Sequence, residues 1–145
     1  MRLLLLLLFV VGTANAEMPA NIKAQVKAQA LEDYGDDYSL VKYAIDQQVK
    51  SYDELQTLSR RSVPDGIWLV LQETAHDDYG IDFSLIVYSL KQQRTAYQGV
   101  MDFTDPDVPD DILARIKKKA SDDYGNDYSL QLYVIKKQVK AFKAL

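Results

Sequence analysis

Ten of the chain's twenty-one acidic residues fall in three short stretches, each beside a tyrosine and a glycine. They are Glu32, Asp33, Asp36 and Asp37, then Asp77, Asp78 and Asp82, then Asp122, Asp123 and Asp127. Clustered carboxylates can hold calcium, which takes roughly six to eight oxygens, but these stretches lack the dedicated loop and closing glutamate of such a site. Capping and solvation of helix ends is the commoner use of the same acids. Catalysis has less to draw on. There is one histidine, His76, and no cysteine, with no metal-ligand or nucleophile spacing around them. These residue types predict no enzyme and no cofactor.

The acids recur because the chain repeats. Asp33-Tyr34-Gly35-Asp36-Asp37-Tyr38-Ser39-Leu40 returns as Asp78-Tyr79-Gly80-Ile81-Asp82-Phe83-Ser84-Leu85, and again as Asp123-Tyr124-Gly125-Asn126-Asp127-Tyr128-Ser129-Leu130. The offset is 45 residues, and eleven columns are identical in all three copies. They are Pro19, Ile22, Ala30, Asp33, Tyr34, Gly35, Asp37, Ser39, Leu40, Tyr43 and Gln48, with their counterparts 45 and 90 residues on. A fixed period of this size marks a supersecondary unit that buries its apolar face only by stacking on its neighbours.

Each unit reads as two helices. Ile22, Val26 and Ala30 lie four residues apart, as do Ile67, Leu71, Ala75 and Ile112, Ile116, Ala120, which makes one helical face. Ser62 and Asp107 stand three residues before an acid, with Pro64 and Pro109 between, and predict a capping side chain with proline in the first turn. Gly35, Gly80 and Gly125 fit the left-handed position that ends a helix. Asp37, Asp82 and Asp127 then predict the N-caps of the second helices. In the first copy the second stripe is Tyr38, Val41, Ile45, Gln48, Tyr52 and Leu55; in the third it is Tyr128, Gln131, Ile135, Gln138, Phe142 and Leu145.

The expected fold is therefore all-α: three tandem 45-residue αα-hairpin repeats stacked as a short α-solenoid or compact six-helix bundle. The repeats run over about 18–62, 63–107 and 108–145, within a single domain of residues 17–145. The middle copy carries Ile67-Trp68-Leu69-Val70-Leu71 and Ile86-Val87, which predicts a unit buried on more than one side between polar-faced outer units. Ile67, Leu71, Leu85, Ile86 and Leu90 are expected in the core. The period exceeds the roughly 34 residues of tetratricopeptide units and falls in the length range of two-helix HEAT-type units. That defines an architecture and no family.

Residues 1–16 read as a cleaved signal peptide. Arg2 is followed by nine apolar residues, Leu3–Val11, and by Ala14-Asn15-Ala16 ahead of Glu17. Nine apolar residues fall well short of the roughly 20 needed to span a bilayer, so no stable membrane insertion is expected after cleavage. Losing Arg2 moves the formal charge from −4 to −5. An acidic chain argues against nucleic-acid binding, which rests on Lys and Arg neutralising phosphates. An exported chain with no cysteine, no lipid-attachment site and no Asn-x-Ser/Thr sequon points to a periplasmic or secreted bacterial protein.

All ten tyrosines occupy four repeat columns, shared only with Phe83 and Phe142. Where Phe substitutes, at 38/83/128 and 52/97/142, the ring is expected in the core. Where Tyr is kept three times, at 34/79/124 and 43/88/133, the hydroxyl is expected to have a partner, either within the hairpin or on a ligand. Gln48, Gln93 and Gln138 break an apolar stripe, and a buried amide needs a partner of its own. The functional expectation is a non-enzymatic interaction module for a protein, peptide or envelope polymer. An inhibitor or immunity-type protein with a basic target is one form of it. The alternative is a small-ligand or calcium-binding protein using the Asp-Tyr-Gly turns. The expected partner-binding residues are Tyr34, Tyr79, Tyr124, Asp33, Asp78 and Asp123.

Overall fold

A computed structural model describes residues 17–145; the leader expected at 1–16 lies outside the described residues. Six helices follow in order: α1 (Ala20–Tyr34), α2 (Tyr38–Thr57), α3 (Asp65–Tyr79), α4 (Phe83–Asp102), α5 (Asp110–Tyr124) and α6 (Tyr128–Phe142). Among the described residues there is no strand. The chain is all-α, and the helix starts recur at the 45-residue offset. Among the described residues no helix is long and apolar enough to cross a membrane.

Each hairpin turns within three residues. Gly35, Gly80 and Gly125 take φ of 56°, 60° and 53°, the region where a side chain would be strained. Asp37, Asp82 and Asp127 then cap the second helix, each accepting from the backbone N–H three residues on at 3.1 Å. The first helices start differently from expectation. Pro64 and Pro109 are themselves the N-caps, and no side chain caps α3 or α5. Ser62 instead bonds Gln98, and Asp107 bonds Lys143 at 2.8 Å. The linker side chains are thus drawn to the C-terminal part of the following hairpin's second helix.

The hairpins stack through their second helices. α2 packs on α4 and α4 on α6, while α1, α3 and α5 each pack on their own partner. A repeated seam holds this row. Gln48 Nε2 donates to Asp82 Oδ1 at 3.0 Å, and the Ser84 N–H donates to Gln48 Oε1 at 3.3 Å. One repeat on, Gln93 Nε2 donates to Asp127 Oδ1 at 3.1 Å, and the Tyr128 N–H donates to Gln93 Oε1 at 2.8 Å. Beside each amide lies an edge-to-face ring pair. Tyr52 meets Phe83 at 5.1 Å and 87°, and Tyr97 meets Tyr128 at 5.0 Å and 79°. Gly99 lets α4 and α6 close up: a Cβ there would come within 2.7 Å of Leu132 Cδ2.

This arrangement decides which middle-repeat residues are core. α4 buries Phe83, Ile86, Val87, Leu90, Ala96, Tyr97 and Val100, because it has a helix on both sides. Leu71 is buried and Ile67 partly so. Leu85, expected in the core, is exposed, and so are Leu69 and Val70. α3 has only α4 to lean on, so its second apolar side is not covered. Met18, Val63 and Val108, each just before a helix-opening proline, are buried and were not singled out from the sequence.

Replacing Leu90 by Ala should cost about 2–5 kcal/mol in urea unfolding. Leu85→Ala should cost well under about 1 kcal/mol, as surface changes do. Gln93→Ala should cost about 1–3 kcal/mol, because it strips a partner from a part-buried cap. Gln138→Ala, at the same column on an exposed face, should change stability by less than about 0.5 kcal/mol.

Candidate functional site

The expected partner-binding residues stand at the turn ends of the first helices. Tyr34, Tyr79 and Tyr124 are the last residues of α1, α3 and α5, and all three are exposed. Their carbonyls close the turns, accepting from Asp37, Asp82 and Asp127 N–H at 3.1, 2.9 and 3.0 Å. The structure gathers only part of the set. Asp33, Tyr34 and Tyr79 line a cleft of about 340 Å³, together with Gln48, Ile81 and Asp82. The cleft lies where the first two hairpins meet, with its walls at the ends of α1 and α3. Asp78, Asp123 and Tyr124 do not line it. Asp33 accepts from Gln29 at 2.9 Å, and Asp123 pairs with Lys119 at 3.0 Å, which raises the lysine's pKa.

The acids of the turns are used locally. Asp37 is held below the ordinary carboxylate range, first by the Ser39 hydroxyl at 2.6 Å and then by the Leu40 N–H. Among the described residues, no three His, Asp or Glu side chains gather closely enough to hold a metal ion. Gln48 and Gln93 have their partners within the stack, so the seam meets the buried-amide expectation at these two, whereas Gln138 is exposed.

The tyrosine expectation divides. Phe83 and Tyr128 are core rings, at 5% and 6% exposure, and burial beside Tyr97 raises the Tyr128 pKa. Tyr38, in the same column, is 68% exposed and corrects the expectation there. Tyr43, Tyr88 and Tyr133 are 63%, 62% and 62% exposed, and their hydroxyls make no hydrogen bond among the described residues. These rings are not hairpin anchors.

Three residues earlier in each copy, Leu40, Leu85 and Leu130 are also exposed, at 45%, 44% and 45%. Residues three apart share a helix face. The row α2–α4–α6 thus carries the same Leu–Tyr pair three times, on the side of each helix turned away from Ile45, Leu90 and Ile135. Sequence reasoning kept a ligand open for Tyr43, Tyr88 and Tyr133 but missed Leu40, Leu85 and Leu130 beside them. The signal was available: Leu40 and Tyr43 are kept in all copies yet lie off the buried stripe of Val41, Ile45, Tyr52 and Leu55. Comparison with protein-family models, with curated proteins and with solved structures finds no match.

His76, half-buried in the last turn of α3, has its pKa lowered by burial, with Asp77 partly opposing the shift. The unfolded chain therefore takes up this proton first, and stability should fall as pH drops below about 6.5. Urea unfolding between about pH 7 and 5, above the carboxylate range, reads this directly. His76→Gln should flatten the slope; an unchanged slope would assign it to other groups.

Proposed function

We propose that this chain is an exported, non-enzymatic helical-repeat interaction module, which binds an extended protein, peptide or envelope polymer along the row α2–α4–α6. One observation carries the reading. Leu40 and Tyr43, Leu85 and Tyr88, and Leu130 and Tyr133 are kept in every copy and left exposed to nearly the same degree in each. Packing does not require them, and an exposed Leu or Tyr at a single site needs no explanation, but three identical pairs in register do.

The chemistry fits an extended ligand. Packed helices lie about 8–10 Å apart, so the pairs recur at a spacing suited to successive units of a chain molecule. Tyr offers a broad apolar ring with a polar tip, at low cost in side-chain entropy, and its neighbour Leu deepens the contact. The cleft of Asp33, Tyr34 and Tyr79 lies apart from these pairs, between the ends of α1 and α3, and its acids favour a basic group there. Regular concave or flat repeat faces are used in this way by other stacked-hairpin architectures.

The test is a double substitution in the middle of the row. Leu85→Ser with Tyr88→Ser should leave the melting temperature unchanged and abolish capture of partners from an envelope extract. The captured partner, purified and titrated, should bind at least about tenfold more weakly, since one central anchor can be worth about 2 kcal/mol. Tyr79→Ala should weaken binding less. Capture undiminished by the double substitution would sink the proposal.

A further inference from the structure

The two ends of the stack are complementary by the same contacts that join its middle. At the α6 end, Gln138 is exposed with Phe142 four residues on, the arrangement by which Gln48 with Tyr52, and Gln93 with Tyr97, grip the next hairpin. At the α2 end, the Asp37 cap, the backbone N–H of Tyr38 or Ser39 and the Tyr38 ring are the groups that such an arrangement grips, since one seam takes the Ser84 N–H and the other the Tyr128 N–H. Phe83 and Tyr128 lose nearly all their exposure when gripped, whereas Tyr38 keeps 68% of its own. Among the described residues, Tyr38 and Phe142 are also the two aromatic positions of this pairing that make no ring pair with another hairpin.

We infer that this protein associates head to tail with further copies of itself, α6 of one copy receiving the N-terminal end of α2 of the next. Gln138 then spans Asp37 and the neighbouring backbone N–H of the second copy, and Phe142 meets Tyr38 edge to face. The charges run the same way. Residues 20–57 carry seven acids against four lysines, whereas residues 110–145 carry eight Lys and Arg against five Asp. α6 itself holds Lys136, Lys137 and Lys140 and no acid, and α2 has Asp46 at the column where α4 has Lys91. Within the chain, Lys91 pairs with Glu54 across the first seam. Lys136 and Lys140 lie beside Phe103 and Asp105, on the side of α6 turned from Gln138, so between copies the charge acts as an overall bias of the two ends and not as an ion pair in the joint.

The joint is weaker than the internal seams. Lys42 occupies the column of buried Val87 and half-buried Leu132, so less apolar surface closes. Its ammonium is held by Asp46 at 2.5 Å and lies in solvent. Such a contact is heterologous: each copy uses one face to give and another to receive, and the association does not stop at two.

Sedimentation velocity of the purified protein over a concentration series tests this. The wild-type weight-average sedimentation coefficient should rise with concentration without levelling at a dimer. Tyr38→Lys blocks the receiving end and Gln138→Glu the giving end. Both residues are exposed, and unchanged far-UV circular dichroism and melting temperature would show that the fold is kept. Each variant alone should remain a monomer. Mixed, they should form a dimer and nothing larger, because one open end of each kind remains. Wild-type protein that stays monomeric throughout would overturn the inference. So would association that neither substitution disturbs, or a mixture that forms no dimer.

Discussion

A glutamine amide set against the capped end of the next helix is the contact on which this fold depends. Gln48 and Gln93 each give a hydrogen to the capping carboxylate and take one from a backbone N–H beside it. The first turn of a helix has several N–H groups without intrahelical partners, and the aspartate alone satisfies only some of them. The amide supplies another acceptor from a neighbouring hairpin. A bond of this kind fixes register as well as energy: sliding one hairpin by a turn leaves a part-buried amide and a helix end both unmet. The adjoining ring pair supplies the burial that the amide cannot.

Because the seam runs along the second helices, the first helices pack closely only on their own partners. That explains both the cleft between the ends of α1 and α3 and the exposure of Leu69 and Val70 on α3. It also changes what repetition means in this chain. Asp82 and Asp127, Gln48 and Gln93, and the rings of Phe83 and Tyr128 recur because each seam needs them. Gly35 and its counterparts recur because each turn needs a positive φ. Once these are accounted for, Leu40, Tyr43 and their counterparts are left recurring with no seam, turn or core to explain them. Their case for function comes from that subtraction, and from no property of leucine or tyrosine by itself.

Much of this was legible in the sequence. The 3.6-residue stripe, the capping aspartates and the glycines gave six helices in three hairpins, because each is a local signal that neighbours do not override. Gln48 was legible as an amide needing a partner, though not as the bridge between hairpins. The direction of stacking was not legible. Periodicity marks an apolar face but does not say whether the next helix in space is the first or the second of the neighbouring unit. Leu85 and Leu69 were misplaced for that reason: both are apolar and central in the chain, and both point where no helix comes. Of the six expected binding residues, three share a cleft, since identical positions in sequence need not meet identical surroundings at the ends of a finite stack.

The third hairpin shows how unevenly such a stack is held. Tyr128 and Ile135 join the main core, but Val108, Leu113 and Val139 form a small separate cluster at the linker end. What secures that end is partly ionic: Lys143 reaches Asp105 at 3.1 Å and Asp107 at 2.8 Å across the linker. The Asp107 and Asp105 bonds raise the lysine's pKa, and the Asp107 N–H and Lys143 lower that of Asp105. Exposed pairs of this kind contribute little and are screened by salt. Few buried contacts and solvent-facing bonds are the conditions for local opening below the global free energy. The linker end of α6 should therefore exchange its amide hydrogens sooner than α4, whose two flanking helices must part before it can open. The face that opens first is continuous with Phe142, so a body seated on that ring would steady the end of the stack that needs it most.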